Sequence, residues 1–541
     1  MLNTKDKQPI LLIIFGQKMK EYDDLIRSTV ERLSKRDRPV SILISKELNH
    51  VIHHYDAQFE NLETLVGYIN THEDSLIYPL CLDKNHELFQ EFLAWQSHYS
   101  RQYISDNLSE KSVQAIDNNQ DFVQVDCLVM RDSLNNCLYV SDLEYIESNK
   151  TTGKSLAIVP SQTLSDAARQ TIRDVAFDVC RKANIIGVCY FSFLIDLNSL
   201  DYHIISLSSG LSHQSILFET ITTYPVLEIA TKLTVGYTFS QLKHSYYPNT
   251  SAFLEPQLDY VATVSFSFEK VDYIFFARNI EQLFLNLLEA SSHDHFPFLS
   301  DISEEDLMFA LIQKKENRLA YLLEAFRRGF DLYDLSSVTK INPFYLDKCL
   351  HIVELYENLN KSQYNVDIYK EAKRYGFSDD YIASSWQISL IDMLEYRKKH
   401  SVAPVLKQVE QSSGVLTGHQ IQYFRSYDWH SDYISSGCQK ALIMVDKGYS
   451  LVKLNELIKQ IKQTHLELLI VTNQPLLIEQ LNDTSIIFDT IGIETILTIM
   501  GIEEVEEVYL LGESQADMFS KMKNFSIPRC KMKCNKKDMF V

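Results

Sequence analysis

No stretch of this 541-residue chain comes near the ~18 consecutive apolar residues that cross a bilayer. The first apolar run, ILLIIF at 10–15, is strand length and leads into GQKMKEYDD, so it reads as a buried strand rather than a secretory leader, and the expected location is cytoplasmic. Cysteine is also scarce as a framework: nine residues, odd in number and without paired spacing, which fits reduced thiols. The one close pair, Cys530 and Cys534 in PRCKMKCNKKDMFV, lacks the two further ligands that zinc needs, and a frayed basic tail is expected there. Positive charge falls short too, with 52 Lys and Arg against 72 Asp and Glu and a net charge of -20. Such a surface repels a phosphate backbone, so the expectation is no nucleic-acid partner and no membrane.

The glycines of a phosphate-binding fingerprint are missing as well. After the first strand stands FGQKMKEYDD with Gly16 alone, and after the strand KALIMVD stands KGYS. A single glycine among bulky and charged residues cannot bring backbone amides up to a pyrophosphate as G-x-G-x-x-G does. A G-x-S-x-G elbow is absent, so Ser212, His213 and Ser215 carry no sign of nucleophilic catalysis.

What is present is organisation. With 45% hydrophobic residues, a chain of this length supports roughly three to five domains. Residues 10–45 read strand, helix, strand, a βαβ pattern that predicts a parallel sheet. From 121 to 210 the pattern changes to hairpins: FVQVDCLVMRD with CLYVSDLEYI, and GVCYFSFLIDL with DYHIISLS. Between them runs a helix with Ser165 as N-cap and an apolar stripe of Ile172, Val175, Ala176 and Val179. Pro225 is expected to break the next helix in two. Residues 300–400 read as short helices, with starts at Ser303, Asn342–Pro343 and Ser378, and stops at Gly329 and Gly376. In the last hundred residues KALIMVD, LELLIVT and VEEVYLLG are strands alternating with helices. His53 and His54, and SSHDHF at 291–296, are weak metal candidates, since histidines on polar loops are usually solvated.

The stretches LAIVPSQTLSDAARQTIRDVAFDV, YPVLEIATKLTVGYTFSQL, LLEAFRRGFDLYDLSSVTKINPFYLDK and EAKRYGFSDDYIA together resemble the large subunit of carbamoyl phosphate synthetase. They are similar to the late part of its first ATP-grasp unit and to its helical oligomerisation domain. The resemblance implies a multidomain α/β fold. It comprises a Rossmann-like pre-ATP-grasp domain at 1–95, a truncated ATP-grasp-like α+β domain at 96–290, an all-α oligomerisation-type domain at 291–430, and a C-terminal α/β Rossmann-like domain at 431–541. It also implies about half the family's length, with the second catalytic half absent.

The site residues implied by the resemblance depart from the family pattern. The strand of HIISLSSGLSHQS, residues 203–215, corresponds to the family's metal-binding strand. Ser206 stands where a Glu ligand is expected, Ser208 at an Asn, and Gly210 and His213 at two arginines. Ser192 stands at a metal-ligating Gln. TTGKS replaces H-T-G-D-S: Thr152, Gly153 and Ser155 are kept, Thr151 falls near the His position, and Lys154 replaces the Asp. Gln124 takes the place of an adenosine-contacting Glu. Magnesium bridging ATP phosphates calls for one or two carboxylates, which serine hydroxyls do not replace.

The sequence therefore predicts a noncatalytic relative acting in assembly or regulation, with no cofactor. Its expected partners are carbamoyl phosphate synthetase subunits or a second copy through the helical domain. Two alternatives stand beside this: an ATP- and Mg-dependent synthetase or related ligase with rearranged ligands, in arginine or pyrimidine biosynthesis, and a nucleotide or metabolite sensor without turnover.

Overall fold

The computed structural model describes residues 10–15, 40–45, 56–59, 64–65, 76–81, 122–149, 153–211, 213–234, 236–244, 250–267, 270–291, 299, 301–315, 317–409, 421–447, 451–474, 485–512 and 531–533. Three sheets and a block of short helices account for most of them.

The first sheet is parallel, in the order β3-β2-β1-β4, from β1 (Ile10–Phe15), β2 (Val40–Ser45), β3 (Ala57–Phe59) and β4 (Leu76–Cys81). The expected pairing of the first two strands is present, and the helix read between them lies outside the described residues. So do His53, His54 and residues 292–296.

The second sheet is antiparallel throughout. Its strands are β5 (Phe122–Arg131), β6 (Cys137–Asn149), β7 (Lys154–Val159), β8 (Gly187–Asp196), β9 (Tyr202–Ser209), β10 (Val261–Ser267) and β11 (Lys270–Ala277). They lie in the order β11-β10-β7-β6-β5-β8-β9. Alternation along β5 sends Val125, Cys127 and Val129 to one face, where α1 (Asp166–Lys182) packs Ala168, Ile172, Ala176 and Val179 against them. Ser165 caps that helix by accepting a hydrogen bond from the Ala168 amide at 3.2 Å. Leu128 and Met130 face the other way, under α2 (His213–Thr222) and α3 (Val226–Thr234), which separate at Pro225.

Among the described residues eight helices follow: α4 (Ile280–Ser291), α5 (Glu304–Ile312), α6 (Arg318–Arg327), α7 (Leu332–Thr339), α8 (Pro343–Lys361), α9 (Val366–Arg374), α10 (Asp379–Trp386) and α11 (Leu390–Lys399). Ser303, Asn342 and Ser378 each accept a backbone N–H at a helix start, as their residue types predict. Between α5 and α6 the chain turns, with Lys314 and Asn317 at positive φ, and Arg318 donates from Nε to the Leu311 carbonyl at 2.9 Å. Gly376 ends α9 at φ +99, and a Cβ there would stand 2.6 Å from the Gln282 Cα, so a side chain is excluded twice over.

The third sheet contains β12 (Val405–Gln408), β13 (Ile421–Ser426), β14 (Lys440–Val445), β15 (Glu467–Thr472), β16 (Ser485–Phe488), β17 (Val505–Leu511) and β18 (Lys531–Lys533), with α12 (Leu451–Ile461) and α13 (Ile493–Ile502). Its order is β12-β13-β16-β15-β14-β17-β18, parallel except for β12.

Two features differ from the sequence reading. β12 and β13, grouped there with the helices of 291–430, pair into the third sheet because their backbone groups complete its edge. Residues 531–533, expected to fray, pair in parallel with Glu507, Val508 and Tyr509. Rings join the second and third sheets, Phe276 lying 4.8 Å from Phe488 and Tyr260 5.9 Å from Phe424. Among the described residues no helix is long and apolar enough to cross a membrane.

Candidate functional site

The face of the second sheet that bears Leu128 and Met130 changes character toward the start of β5, where Gln124 and Asp126 replace apolar residues. Register places three polar positions in one row across adjacent strands: Asp126 opposite Ser192, and Ser192 opposite Ser206. Gln124 donates from Nε2 to the Ser192 Oγ at 3.4 Å. The structure thus brings Gln124, Ser192 and Ser206 together as neighbours, with a register shift of β8 against β9 just after Ser192. Ser192 is buried, whereas Ser206 is exposed and Ser208, opposite Tyr190, is half-buried.

Asp126 is the residue that sequence reasoning missed. It is buried, and its Oδ2 accepts hydrogen bonds from the hydroxyls of Tyr145, at 2.9 Å, and of Tyr190. Burial, reinforced by the Asp126 charge, holds the Tyr190 hydroxyl well above the ordinary tyrosine range, so it remains a donor. The signal was available: an aspartate at an alternate position of an apolar strand, two residues after Gln124, must find donors or stay wet.

The structure does not bring the remaining predicted positions into this row: Lys154 and Ser155 pair with Asn149 and Ser148, two strands from β5 and well along the sheet from Asp126. Gly210 takes φ +94 and donates from its amide to the Val188 carbonyl at 3.0 Å, which turns the chain out of β9 toward His213, the first residue of α2. Gly153 takes φ +68, Lys154 is exposed at the start of β7, and Ser155 donates to the Ser148 hydroxyl at 3.2 Å. Thr151 and Thr152 lie outside the described residues.

The stretch VPSQTL after β7 is held from below by two carboxylates of β6. Asp142 accepts from the Ser161 amide at 2.6 Å and hydroxyl, and from Arg169 Nε at 3.1 Å. Glu144 accepts from the Gln162 and Thr163 amides at 2.8 and 3.0 Å. These acids are occupied in fixing a loop. The helices attach further along β6: Arg318 Nη1 lies 3.0 Å from Glu147, and Lys314 donates to the Ser148 carbonyl at 3.0 Å.

Chemically, the row offers neutral hydroxyls, one amide, and a carboxylate already engaged with two phenols. Hydroxyls and amides suit a neutral polar ligand or water. A divalent cation carrying nucleotide phosphates instead needs carboxylate oxygens aimed at it, and the serines supply none.

Residues 104–242 match the family described as carbamoyl-phosphate synthase L chain, ATP binding domain, and residues 273–401 match carbamoyl-phosphate synthetase large chain, oligomerisation domain. Among solved structures, a Rhizobium etli pyruvate carboxylase is 11% identical over 47% of this chain and 28% of its own, at a TM-score of 0.34. A Campylobacter jejuni biotin carboxylase is 11% identical over 48% of this chain and 76% of its own, at 0.32. A Kluyveromyces lactis urea carboxylase is 10% identical over 52% and 30%, at 0.33. The chain therefore spans less than a third of the pyruvate and urea carboxylases it matches. With one segment that matches the synthetase ATP binding domain followed by one that matches its oligomerisation domain, the chain resembles the carbamoyl-phosphate synthetase large chain.

Proposed function

We propose that this protein is a noncatalytic relative of the carbamoyl-phosphate synthetase large chain, cytoplasmic, acting in assembly or regulation. The observation that carries the reading is the row Asp126, Ser192, Ser206. Serines stand at the positions that the family resemblance assigns to metal ligands, and the nearby carboxylate is turned to Tyr145 and Tyr190. Gly210 and His213 at the arginine positions remove the cationic clamp on a transferring phosphoryl group, where a single lost donor is worth roughly 3–4 kcal/mol of barrier.

The division into a Rossmann-like unit at 1–95, a truncated ATP-grasp-like unit at 96–290, a helical unit at 291–430 and a second Rossmann-like unit at 431–541 is part of this proposal. The third sheet argues for moving the last boundary up to β12. The match to an oligomerisation domain supports partners of two kinds, a second copy or a synthetase subunit.

A second reading, favoured by the contact between Gln124 and the buried Ser192, is a sensor that binds a neutral polar metabolite or nucleoside without turnover. The experiment is an ATPase assay on the full chain with magnesium, bicarbonate and ammonia, alone and with a purified synthetase glutaminase subunit. Background phosphate release in every condition is expected. Bicarbonate-stimulated, magnesium-dependent release would overturn the noncatalytic reading in favour of an ATP-grasp ligase.

A further inference from the structure

The edge of a sheet is a row of backbone N–H and C=O groups open to another strand unless something blocks it. Among the described residues, every sheet edge but one is blocked. β3 has only three residues, β4 carries Pro79, and β18 has three residues of which two are lysines. β11 is fastened to the third sheet: the Ile274 amide donates to the Asn473 carbonyl at 2.8 Å, and Gln474 Nε2 donates to the Asp272 carbonyl. β12 is closed by the loop after β13, the Asp432 amide donating to the Leu406 carbonyl at 2.9 Å and Asp432 Oδ2 accepting from the Gln408 amide at 3.1 Å.

β9 is the exception. It runs for eight residues, YHIISLSS, without proline, lysine, arginine or a carboxylate. Its pairing with β8 tells which of its backbone groups face out. The Gly210 amide donates to the Val188 carbonyl, and along an antiparallel ladder hydrogen-bonded pairs alternate with open ones. Ser206 and Ser208 therefore use their backbone groups on Ser192 and Tyr190, while Leu207 and Ser209 turn theirs to the free side. From the other end of the hairpin, the Asp196 amide on the Asp201 carbonyl sets the same alternation and turns Ile204 outward, and Ile205 is the extra residue at the register shift. Beyond that shift the strand is regular. Among the described residues nothing outside β8 hydrogen-bonds to the Leu207 or Ser209 backbone, and Ser206 between these outward positions is exposed.

The strand that fits this edge is a second β9. The outward residues Leu207 and Ser209 are spaced as a two-fold axis through Ser208 requires: Leu207 of each copy pairs with Ser209 of the other, giving about four N–H···O=C bonds. Ser208 then faces Ser208 of the second copy as an open pair, where short hydroxyl side chains meet without a clash. The chain carries a net charge of -20, so most faces of two copies repel, whereas β9 brings no formal charge to the contact and its nearest acid in sequence, Asp201, stands at the far turn.

We propose that two copies of this protein pair β9 to β9, antiparallel about an axis at Ser208, so that their second sheets become one continuous sheet. Because β11 at the opposite edge is fastened to the third sheet, the assembly closes at two copies. The proposal rests on the self-association part of the functional reading and gives it a surface. It also sets the second copy's strand beside Ser206, along the open flank of the serine row.

The test is sedimentation velocity of the full chain across a micromolar concentration series, with two variants at one position. Ser209→Pro deletes an outward amide and leaves the ladder to β8 intact, because proline suits an edge position whose N–H faces away from the sheet. Ser209→Ala keeps the amide and loses only the hydroxyl. The proline variant is expected to associate at least about 10-fold more weakly than the wild type, for one bond lost on each side of the axis, and the alanine variant to associate as the wild type does. Cross-linking checks the register separately. In Ser208→Cys the two thiols face each other on the axis, and oxidised glutathione is expected to convert them to one intermolecular disulfide while leaving as two reduced molecules. Ser206→Cys, opposite Gly210 of the second copy, is expected to cross-link no more than the wild type.

A wild-type dimer that Ser209→Pro leaves intact, with no cross-link through Ser208→Cys, would overturn this edge while keeping self-association. A wild type that stays monomeric would overturn both. Growth beyond two copies would overturn the closure, and cross-linking through Ser206→Cys in place of Ser208→Cys would overturn the register. Should Ser209→Pro melt below the wild type, the comparison of the two cysteine variants decides between these outcomes.

Discussion

Lys373 Nζ lies 2.9 Å from Glu494 Oε1, and both side chains are buried although they come from different parts of the chain, α9 of the helical block and α13 of the third sheet. Around this pair Asp379 approaches Lys373 at 3.0 Å, Arg397 reaches Asp379 at 2.6 Å, and Arg425 bridges Glu494 and Asp489 at 2.9 and 2.8 Å. The Asp379 amide also donates to Glu494 at 2.6 Å. The helices and the third sheet are thus keyed together by a buried ionic network, and cations held in it remain protonated because the carboxylates beside them offset the cost of burial.

Removing one partner of such a network leaves an uncompensated buried charge. Lys373→Met is expected to destabilise the chain by about 3–5 kcal/mol in urea unfolding. Adding Glu494→Leu should return part of that loss, because it deletes the stranded carboxylate. A double variant as unstable as the sum of the singles would show that the two residues do not interact.

The same network gives a pH dependence with two signs. Neighbouring Lys373, Arg425 and Arg397 hold the Glu494 carboxyl well below the usual carboxylate range against the cost of burial. The folded pKa is depressed, so this contribution is present above the unfolded value near ~4.3 and is lost as pH falls through the folded pKa. Half-buried Glu289 behaves oppositely. Desolvation, with Glu494, Asp489 and Asp380 as further causes, pushes its carboxyl up to about 8 despite Arg425. Its contribution is therefore present while it is protonated and fades as pH rises from the unfolded carboxylate value toward 8. Glu289→Gln should lose less stability than the wild type over that interval, read as melting temperature against pH. Parallel curves would refute the assignment.

At the candidate site, Tyr190→Phe removes one donor from buried Asp126 and should cost roughly 1–3 kcal/mol in denaturant unfolding. Tyr190→Phe with Asp126→Leu also deletes the buried carboxylate, leaves the half-buried Tyr145 hydroxyl to bond water, and should be closer to wild type than the single tyrosine variant. No recovery in the double variant would mean that Asp126 draws its stabilisation from elsewhere.

Much of this architecture was legible locally. Hairpins announced themselves by alternation, and Ser165, Ser303, Asn342 and Ser378 marked helix starts because a side-chain acceptor there answers an orphan amide. β16, only SIIF, is too short to carry a period. β13 carries Gln422, Tyr423 and Arg425 among its six residues, and Arg425 is tolerated only because Glu494 and Asp489 meet it from far along the chain. The pairing of Asp126 with Tyr145 and Tyr190 was hidden for the same reason: register across three strands decides it, and no local window contains all three residues.

The most direct test of the central claim is a calorimetric titration of the full chain with ATP, with and without magnesium. The account predicts no saturable heat in either titration, because the row of Ser192, Ser206 and an engaged Asp126 lacks the carboxylates that would hold the bridging metal. Magnesium-dependent saturable binding in the micromolar range would contradict it and show that other residues have taken over as ligands.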